Sequence, residues 1–406
     1  MAEQFLDTDA LVDAVADAEF DRTPAVVANA HITGLSVARA LDAHGVPVIA
    51  VDRMADGVAY PSDAIDFAGE VRYPLDDPQG FADDLAAIAD AAGEVVAFGC
   101  MDEWVHGFAD AGVENVHLPW ENHVSVLDKT RLYRRAEELG VPYPETYFPA
   151  ETDPDAAAEE LGFPLVIKPA RKREGEEAIG SNVVEVATSE ELYDVLEAAD
   201  AAGVEVMLQE KVNIATGKDR SLASYVPAEG EPLAVVGNAA VRFPLEFGTS
   251  CLVETVDAPE IEARALSVIE DAGYQGISES EFVYDQDREE YVLLDINTRP
   301  WKWISLPVSI GANLPYAAYA DTVGEAFEPG EIDDGRWVYL RDYLTLLASE
   351  ETFWDVLDTE DWVSLVSGAF EESGDLTTGV YRPSDPAPVA QLLDTEFTDR
   401  EYYCSC

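Results

Sequence analysis

The residues with the clearest chemical pattern lie between positions 276 and 300, in the run GISESEFVYDQDREEYVLLDINTRP. Two segments with the composition of β-strands flank the polar stretch QDREE, and this arrangement predicts a hairpin. If the loop covers residues 286–290, Asp285 lies opposite Tyr291. That register decides which polar side chains of the hairpin face each other.

Counting back from the loop places Glu281 opposite Asp295, and it places Glu279 opposite Asn297. Side chains on a strand repeat every two residues, so all four share one face. Carboxylates that face each other across strands destabilise a hairpin by roughly 0.2 to 1 kcal/mol per pair, and neutralising Asp295 is expected to relieve that repulsion. A divalent cation would also offset it, because Mg²⁺ prefers carboxylate and amide oxygens. We predict a site for Mg²⁺, or for Mn²⁺, at Glu281, Asp295 and Asn297; the alternative is a solvated acidic face.

A cluster of cations forms the second pattern, in the run VIKPARKREGEEAIGSN. Lys168 ends a predicted strand, and three further cations occupy positions 171–173 of a chain that has 24 Lys and Arg in total. Cations and backbone N–H groups in a loop that also contains Gly175 and Gly180 can cover an anion. Such a loop could instead neutralise neighbouring glutamates. Together with a metal site, however, it provides what a Mg-nucleotide requires.

The first 125 residues predict a Rossmann-like domain, because strand-like and helical segments alternate as in a parallel sheet. The three clearest strand-like segments are residues 24–30, 46–52 and 94–100. Only Gly34 follows the first strand, so the G-x-G-x-x-G dinucleotide fingerprint is absent. Asp102 and Glu103 follow a strand at the edge where such sheets bind ligands, although ordinary loop solvation explains them equally well.

Residues 126–320 predict a mixture of helices and strands that differs from the regular alternation of the first domain. The expected elements are a helix capped by Asp128, strands at 165–168 and 183–186, a helix begun by Thr188, a strand at 204–212, an antiparallel pair around PAEGEP, and a helix at 259–272. Residues 321–406 are acidic and contain scattered apolar residues, for which we predict a mainly helical segment. Trp301 and Trp303 are expected to be packing residues or a pocket wall.

The order of these motifs, over roughly residues 24–320, resembles the ATP-grasp superfamily, specifically carboxylate–amine ligases related to D-aspartate ligase and, more distantly, D-alanine–D-alanine ligase. The resemblance implies an α/β fold with a Rossmann-like domain at 1–125, an ATP-grasp domain of two α+β subdomains at 126–320, and a mainly helical C-terminal extension at 321–406. It also implies ATP and Mg²⁺ as cofactors.

The resemblance further assigns roles to individual residues. Lysines that hold ATP phosphates in the family match Lys129 in DKTRLYRRAEELGVPYPET and Lys168 in LVIKPA, the adenine-binding hinge matches LQEKV, and a ribose-binding acid matches Asp219 in TGKDRS. The implied ATP contacts are Lys129, Lys168, Gly180, Ser181, Gln209, Glu210, Lys211, Val212 and Asp219. The family metal pattern, an acid followed by E-x-N-x-R, matches Glu281 and DINTR. Two features differ from the family: the loop after Lys168 is longer and more charged, and Asp295 replaces the commoner glutamate.

The implied reaction uses no protein nucleophile: ATP phosphorylates a carboxylate, and an amine attacks the acyl phosphate to give an amide, ADP and phosphate. Catalysis then consists of positioning and charge neutralisation, for which the expected catalytic residues are Lys168, Arg242 and Arg299. Arg242, in AVRFPLEFGTS, lies where such enzymes hold the carboxylate substrate, but a structural ion pair is equally consistent. Two other functions remain open: a non-catalytic ATP-binding regulator, and an ATP-dependent carboxylase or phosphotransferase on the same fold.

The amino-acid composition of the chain limits the kinds of partner that it can bind. The chain has 82 Asp and Glu and a formal charge of −58, which disfavours nucleic acid and anionic membranes. Hydrophobic residues make up 48% of the chain, so we predict a folded protein, of the type found in halophilic archaea, where salt screens the surface charge.

The first residues lack a signal segment, which favours the cytoplasm. We expect small-molecule carboxylate and amine substrates and consider a homodimer; the terminal Cys404 and Cys406 could bind metal but are more simply explained as a tail.

Overall fold

The computed structural model of the protein describes residues 5–170, 183–245 and 248–396. The N-terminal domain contains a five-stranded parallel sheet with the strand order β3-β2-β1-β4-β5. Its strands are β1 (Ala25–Ala28), β2 (Val48–Asp52), β3 (Phe67–Glu70), β4 (Val95–Gly99) and β5 (Val116–His117), and its helices are α1 (Thr8–Ala16), α2 (Ile32–Asp42), α3 (Pro78–Ala92) and α4 (Asp102–Ala111). The predicted parallel sheet is confirmed. Five elements were not located from the sequence, namely α1, β3, α3, α4 and β5; β3 (FAGE) and the two-residue β5 contain no apolar run.

A four-stranded antiparallel sheet forms the next subdomain, with the order β6-β9-β7-β8. Its strands are β6 (Thr146–Tyr147), β7 (Leu165–Pro169), β8 (Val184–Val186) and β9 (Val206–Glu210), and its helices are α5 (Val124–Leu127), α6 (Lys129–Leu139), α7 (Pro154–Leu161) and α8 (Ser189–Ala202). Helices α7 and α8 cover one face through an apolar cluster that includes Leu165, Ile167 and Leu208. The other face carries Met207, which packs with Tyr133 of α6.

The largest sheet has seven strands in the order β14-β13-β10-β11-β12-β15-β16. They are β10 (Asp219–Val226), β11 (Leu233–Phe243), β12 (Thr249–Thr255), β13 (Gly276–Asp285), β14 (Glu290–Asn297), β15 (Arg336–Val338) and β16 (Leu376–Thr378). Helix α9 (Pro259–Asp271) packs on one face, where it buries Ile261 and Ile269 against Leu222. The opposite face contacts Trp301 and Trp303 and continues into the core of the N-terminal domain.

The hairpin of β13 and β14 has a shorter loop than predicted. The loop covers four residues, 286–289, so Asp285 lies opposite Glu290 and not opposite Tyr291. The register predicted at this loop was therefore wrong by one residue.

A bulge restores the predicted pairing farther along the hairpin. Leu294 has no partner on β13, and beyond it Glu281 faces Asp295 and Glu279 faces Asn297. The bulge adds the one residue that the shorter loop removes. The two deviations cancel, so the predicted cross-strand pairs are confirmed.

The C-terminal segment is built into the fold. After α10 (Ser305–Ser309) and α11 (Leu314–Val323) it contains α12 (Leu340–Ser349), a short 3₁₀ helix (Glu351–Phe353), α13 (Thr359–Ser367), α14 (Phe370–Ser373) and α15 (Ala387–Glu396). It is mainly helical, as predicted, but β15 and β16 also extend the largest sheet. A buried ion pair of 2.8 Å joins Asp385 to Arg39 of α2, and Ser62 Oγ donates to the same carboxylate at 2.6 Å.

Within the described ranges, the helices are all too short or too polar to cross a lipid bilayer.

Candidate functional site

Four polar side chains of β13 and β14 converge on one face of the largest sheet. Asn297 Nδ2 donates to Glu281 Oε1 at 2.8 Å and approaches Glu279 Oε2 at 3.4 Å. Glu279, Asp295 and Asn297 are each less than a tenth exposed. The same sheet face carries apolar residues nearer to the N-terminal domain, so this polar group lies at the margin of a packed core.

Lys129 supplies the positive charge next to Asp295. Its Nζ donates to Asp295 Oδ1 at 2.6 Å, and both residues are buried. Lys129 is the first residue of α6, which Asp128 caps by accepting from the backbone N–H of Arg131. Tyr133, one turn on, donates from its hydroxyl to the carbonyl of the bulged Leu294 at 2.8 Å. The start of α6 and the bulge therefore stabilise each other. Lys129 offsets part of the repulsion between Glu281 and Asp295, for which the sequence predicted only a metal ion as compensation.

Glu279 lies deepest in this group. Burial, followed by the charge of Glu281, raises the pKa of Glu279 to about 8. Trp303 Nε1 donates to Glu279 Oε1 at 2.8 Å, and the Trp303 ring lies against Gly237, where a Cβ atom would come within 3.0 Å of it. The raised pKa reflects chiefly the cost of burying a charged carboxylate, to which the neighbouring charge of Glu281 adds.

A hard divalent cation fits these residues. Glu281 and Asp295 offer carboxylate oxygens and Asn297 offers an amide oxygen, which is the ligand set that Mg²⁺ prefers. No three His, Cys, Asp or Glu side chains converge as a metal-binding group within the described ranges. The predicted site therefore depends on the Asn297 amide for its third protein oxygen.

Arg242 and Asp219, predicted as separate site residues, form one ion pair. Arg242 Nε donates to Asp219 Oδ2 at 2.5 Å, and Arg242 Nη1 donates to the carbonyl of Gly248 at 3.1 Å. Asp219 Oδ1 is buried and accepts no hydrogen bond from any described residue. Arg242 thus forms an ion pair, which was one of its two interpretations, and its role in holding a carboxylate substrate stays a prediction. Asp219 keeps one oxygen available as an acceptor.

Arg299 reaches out of the sheet to the N-terminal domain. Arg299 Nε donates to Asp102 Oδ1 at 2.6 Å, and Arg299 Nη1 donates to the carbonyl of Pro300 at 3.1 Å. Arg299 is buried, and Asp102 is the first residue of α4, directly after β4. The acidic pair noted at this strand end thus contributes one carboxylate to the site.

The predicted adenine hinge lies at the end of β9. Gln209 is buried and donates from Nε2 to Thr146 Oγ1 at 2.8 Å, Glu210 Oε1 accepts from the backbone N–H of Glu145 at 2.7 Å, and Lys211 pairs with Glu185 at 2.8 Å. Val212 follows and is half-buried.

Lys168 shares its sheet face with Met207, its cross-strand partner, and that face is turned toward α6. Lys129 is the first residue of that helix, and a shared role of the two lysines stays a prediction. Gly180, Ser181 and the cations at 171–173 lie outside the described residues, as do Cys404 and Cys406.

Two contacts near the site were not found by sequence reasoning. Arg288, in the hairpin loop, pairs with Glu210 at 2.5 Å and so connects the largest sheet to the hinge. Lys302 pairs with Asp342 of α12 at 2.8 Å and donates to Thr249 at 2.9 Å. Lys302 lies in the run NTRPWKW, three residues after Arg299, but nothing in the sequence identified its distant partner.

The architecture is that of known ATP-grasp proteins. N5-carboxyaminoimidazole synthetase from Staphylococcus aureus, complexed with ADP, aligns with a TM-score of 0.62 and 14% identity over 82% of this chain and 87% of that one. Biotin carboxylase from Campylobacter jejuni, in a β-γ-ATP complex, aligns with a TM-score of 0.62 and 16% identity over 80% and 75%. These likenesses show that the chain has an ATP-grasp fold, as the order of motifs predicted.

The similarity in sequence is narrower. D-alanine–D-alanine ligase from Pseudomonas fluorescens is 26% identical over 182 residues, which cover 43% of this chain. The match spans about half of that ligase, 54% of its length. The chain matches no protein-family profile.

A histidine pair near Asp102 predicts a pH-dependent stability. His123 Nε2 lies 3.2 Å from His106 Nδ1, and burial, followed by the charge of His106, lowers the pKa of His123 from 6.5 to about 4. Neutral His123 therefore stabilises the fold above pH 6.5, and this contribution is lost as the pH falls toward 4. We expect His123→Gln to have a Tm that falls less steeply than that of the wild type between these pH values.

His117→Gln is the matched control, because His117 is exposed and pairs with the exposed Glu94. Parallel Tm-versus-pH curves for the wild type and His123→Gln would show that the pair does not titrate as inferred.

Proposed function

We propose that the protein is an ATP-dependent carboxylate–amine ligase that acts through an acyl phosphate and releases ADP and phosphate. The observation that carries this proposal is the group formed by Glu281, Asp295 and Asn297 on one sheet face, with Lys129 at hydrogen-bond distance from Asp295. Lys168 lies on β7 of the four-stranded sheet, on the face that is turned toward α6. In this proposal, these cations and oxygen ligands bind a triphosphate with its metal.

In this proposal the residues act by binding and orientation. Lys129 and Lys168 hold the phosphates, β9 and the residues after it hold the adenine, and Asp219 accepts from the ribose. Arg299 neutralises the negative charge that develops during phosphoryl transfer and amine attack. Mg²⁺, when bound at Glu281, Asp295 and Asn297, would neutralise phosphate charge. The five histidines of the chain all lie within its first 125 residues, outside the ATP-grasp domain, which suits a reaction without a protein nucleophile.

A carboxylase is the second candidate, and a specific observation favours it. The solved structures with this fold include several carboxylases, among them a biotin carboxylase domain dimer from Hydrogenobacter thermophilus in complex with MgADP, ADP and bicarbonate. It aligns with a TM-score of 0.61 and 16% identity over 78% of this chain and 74% of that one. Bicarbonate would then take the place of the carboxylate substrate. The dimer in that structure also supports a homodimer as a proposal for this chain.

The test is a measurement of ADP release with MgATP and a panel of L- and D-amino acids and small carboxylates. Each carboxylate is combined with ammonia or with a second amino acid, with and without added bicarbonate. Amine-dependent release of ADP and phosphate, matched by an amide in the mass spectrum, supports the ligase. Turnover that requires bicarbonate supports the carboxylase instead. Release of AMP and pyrophosphate, or binding of ATP without any turnover, contradicts both.

A further inference from the structure

The contact between Arg299 and Asp102 joins parts of the chain that are 197 residues apart. Arg299 lies in the segment after β14, just before the short helix α10. Asp102 begins α4, at the end of a central strand of the parallel sheet. The Nε–Oδ1 distance is 2.6 Å, and the side chains of Arg299 and Asp102 are 6% and 19% exposed.

Arg299 follows the hairpin closely, because it lies two residues after Asn297, the last residue of β14. Its guanidinium therefore connects the strand that carries Asp295 and Asn297 to the start of α4. It is planar and donates in a fixed fork, so a partner that fixes Nε also fixes the plane in which its other N–H groups point.

The segment that carries Arg299 cannot fix this plane by its own secondary structure. Residues 298–304 belong to no strand or helix, and Arg299 Nη1 donates to the carbonyl of the adjacent Pro300 at 3.1 Å. Asp102, by contrast, is held by the start of a ten-residue helix whose Trp104 and Phe108 are packed in the core. A helix start of the N-terminal domain thus holds the side chain of Arg299, which belongs to the ATP-grasp domain.

We propose that Asp102 is a positioning residue for the reaction: it orients Arg299 toward the transferring group, so that the N-terminal domain takes part in assembling the catalytic site. This inference rests on the proposed function for the role of Arg299. A simpler role, in which the pair only docks two domains, predicts different results in the experiment below.

The chain contains a matched control for domain docking. Arg39 and Asp385 also form a buried ion pair between the N-terminal domain and a distant segment, at 2.8 Å. That pair lies away from the hairpin carboxylates, and neither residue belongs to the proposed site. Asp385→Asn should therefore lower the Tm and leave kcat unchanged.

The first measurement is a double-mutant cycle with Asp102→Asn and Arg299→Lys, using MgATP and the carboxylate and amine that give the wild type its largest ADP release. We expect Asp102→Asn to lower kcat on the order of 100-fold, because small displacements of a positioned group have effects of this size, with little change in KM for ATP. In the Arg299→Lys background the same substitution should change kcat very little, since Asp102 acts only through Arg299. Equal losses of kcat in both backgrounds, or an unchanged kcat in Asp102→Asn, would overturn the proposal.

The second measurement needs no substrate. Phenylglyoxal modifies accessible arginines, and peptide mapping by mass spectrometry gives the rate at Arg299. We expect this rate to be at least about tenfold higher in Asp102→Asn than in the wild type or in Asp385→Asn, because loss of a buried partner frees the side chain. An unchanged rate would contradict the positioning role. A wild type that releases no ADP with any substrate would contradict the proposed function, whereas the modification rate would still decide whether Asp102 holds Arg299.

Discussion

Asp295→Asn should abolish MgATP turnover and also destabilise the folded protein. Turnover is lost because the substitution removes the charge of a proposed Mg²⁺ ligand. Stability falls because the substitution removes the carboxylate that lies 2.6 Å from the buried ammonium of Lys129, and breaking a buried ion pair from one side costs about 3 to 5 kcal/mol. Relief of the repulsion with Glu281 returns only about 0.2 to 1 kcal/mol. The net effect is therefore destabilising, opposite to the sign expected from the hairpin sequence alone.

The control is the double variant Lys129→Met/Asp295→Asn, which removes both charges. Its urea midpoint should recover most of the stability lost in Asp295→Asn, because no unpaired charge remains. Its turnover should stay at the background level, since both the ligand and the phosphate-binding lysine are gone. Full activity in Asp295→Asn, or a single variant more stable than the wild type, would refute the assignment of this pair.

Lys168→Met should lose nearly all turnover while the protein remains folded. Lys168 lies on β7 opposite Met207, so the sheet fixes its position, and its ammonium is proposed to contact the phosphoryl group that is transferred. Removing one preorganised charge of this kind lowers kcat on the order of 100- to 1,000-fold. If the contact is made chiefly in the transition state, kcat and kcat/KM fall together and KM for ATP changes little.

Lys218→Met is the matched control, because Lys218 is exposed and its ammonium lies 4.7 Å from the ring centroid of Tyr284. That variant should keep the kcat of the wild type. A large rise in KM for ATP with unchanged kcat in Lys168→Met would show that Lys168 contributes only to ground-state binding.

The sequence predicted the local elements of the site because their signals are local. Alternating apolar residues and a polar loop defined the hairpin, and a two-residue repeat placed Glu281, Asp295 and Asn297 on one face. Asp128 identified the start of α6 through its capping position. The loop length was the local feature predicted wrongly, since turn residues limit a hairpin loop only to within a residue or so.

Contacts between distant segments could not be predicted from one sequence. Lys129 precedes Asp295 by 166 residues, Asp102 precedes Arg299 by 197, and Lys302 precedes Asp342 by 40. In a chain with 82 acidic residues, each cation has many candidate partners of the same type. The packing of helices and sheets determines which of these acidic residues pairs with each cation.

The sequence by itself determined which residues share a strand face, where the main helices begin, and that an ATP-grasp order of motifs is present. The tertiary structure decided how the charges are compensated: Lys129 neutralises Asp295, Arg242 neutralises Asp219, and Asp102 holds Arg299. The physical reason is that backbone periodicity acts over a few residues, whereas the cost of burying a charge is met by whichever opposite charge the packed elements bring within hydrogen-bond distance.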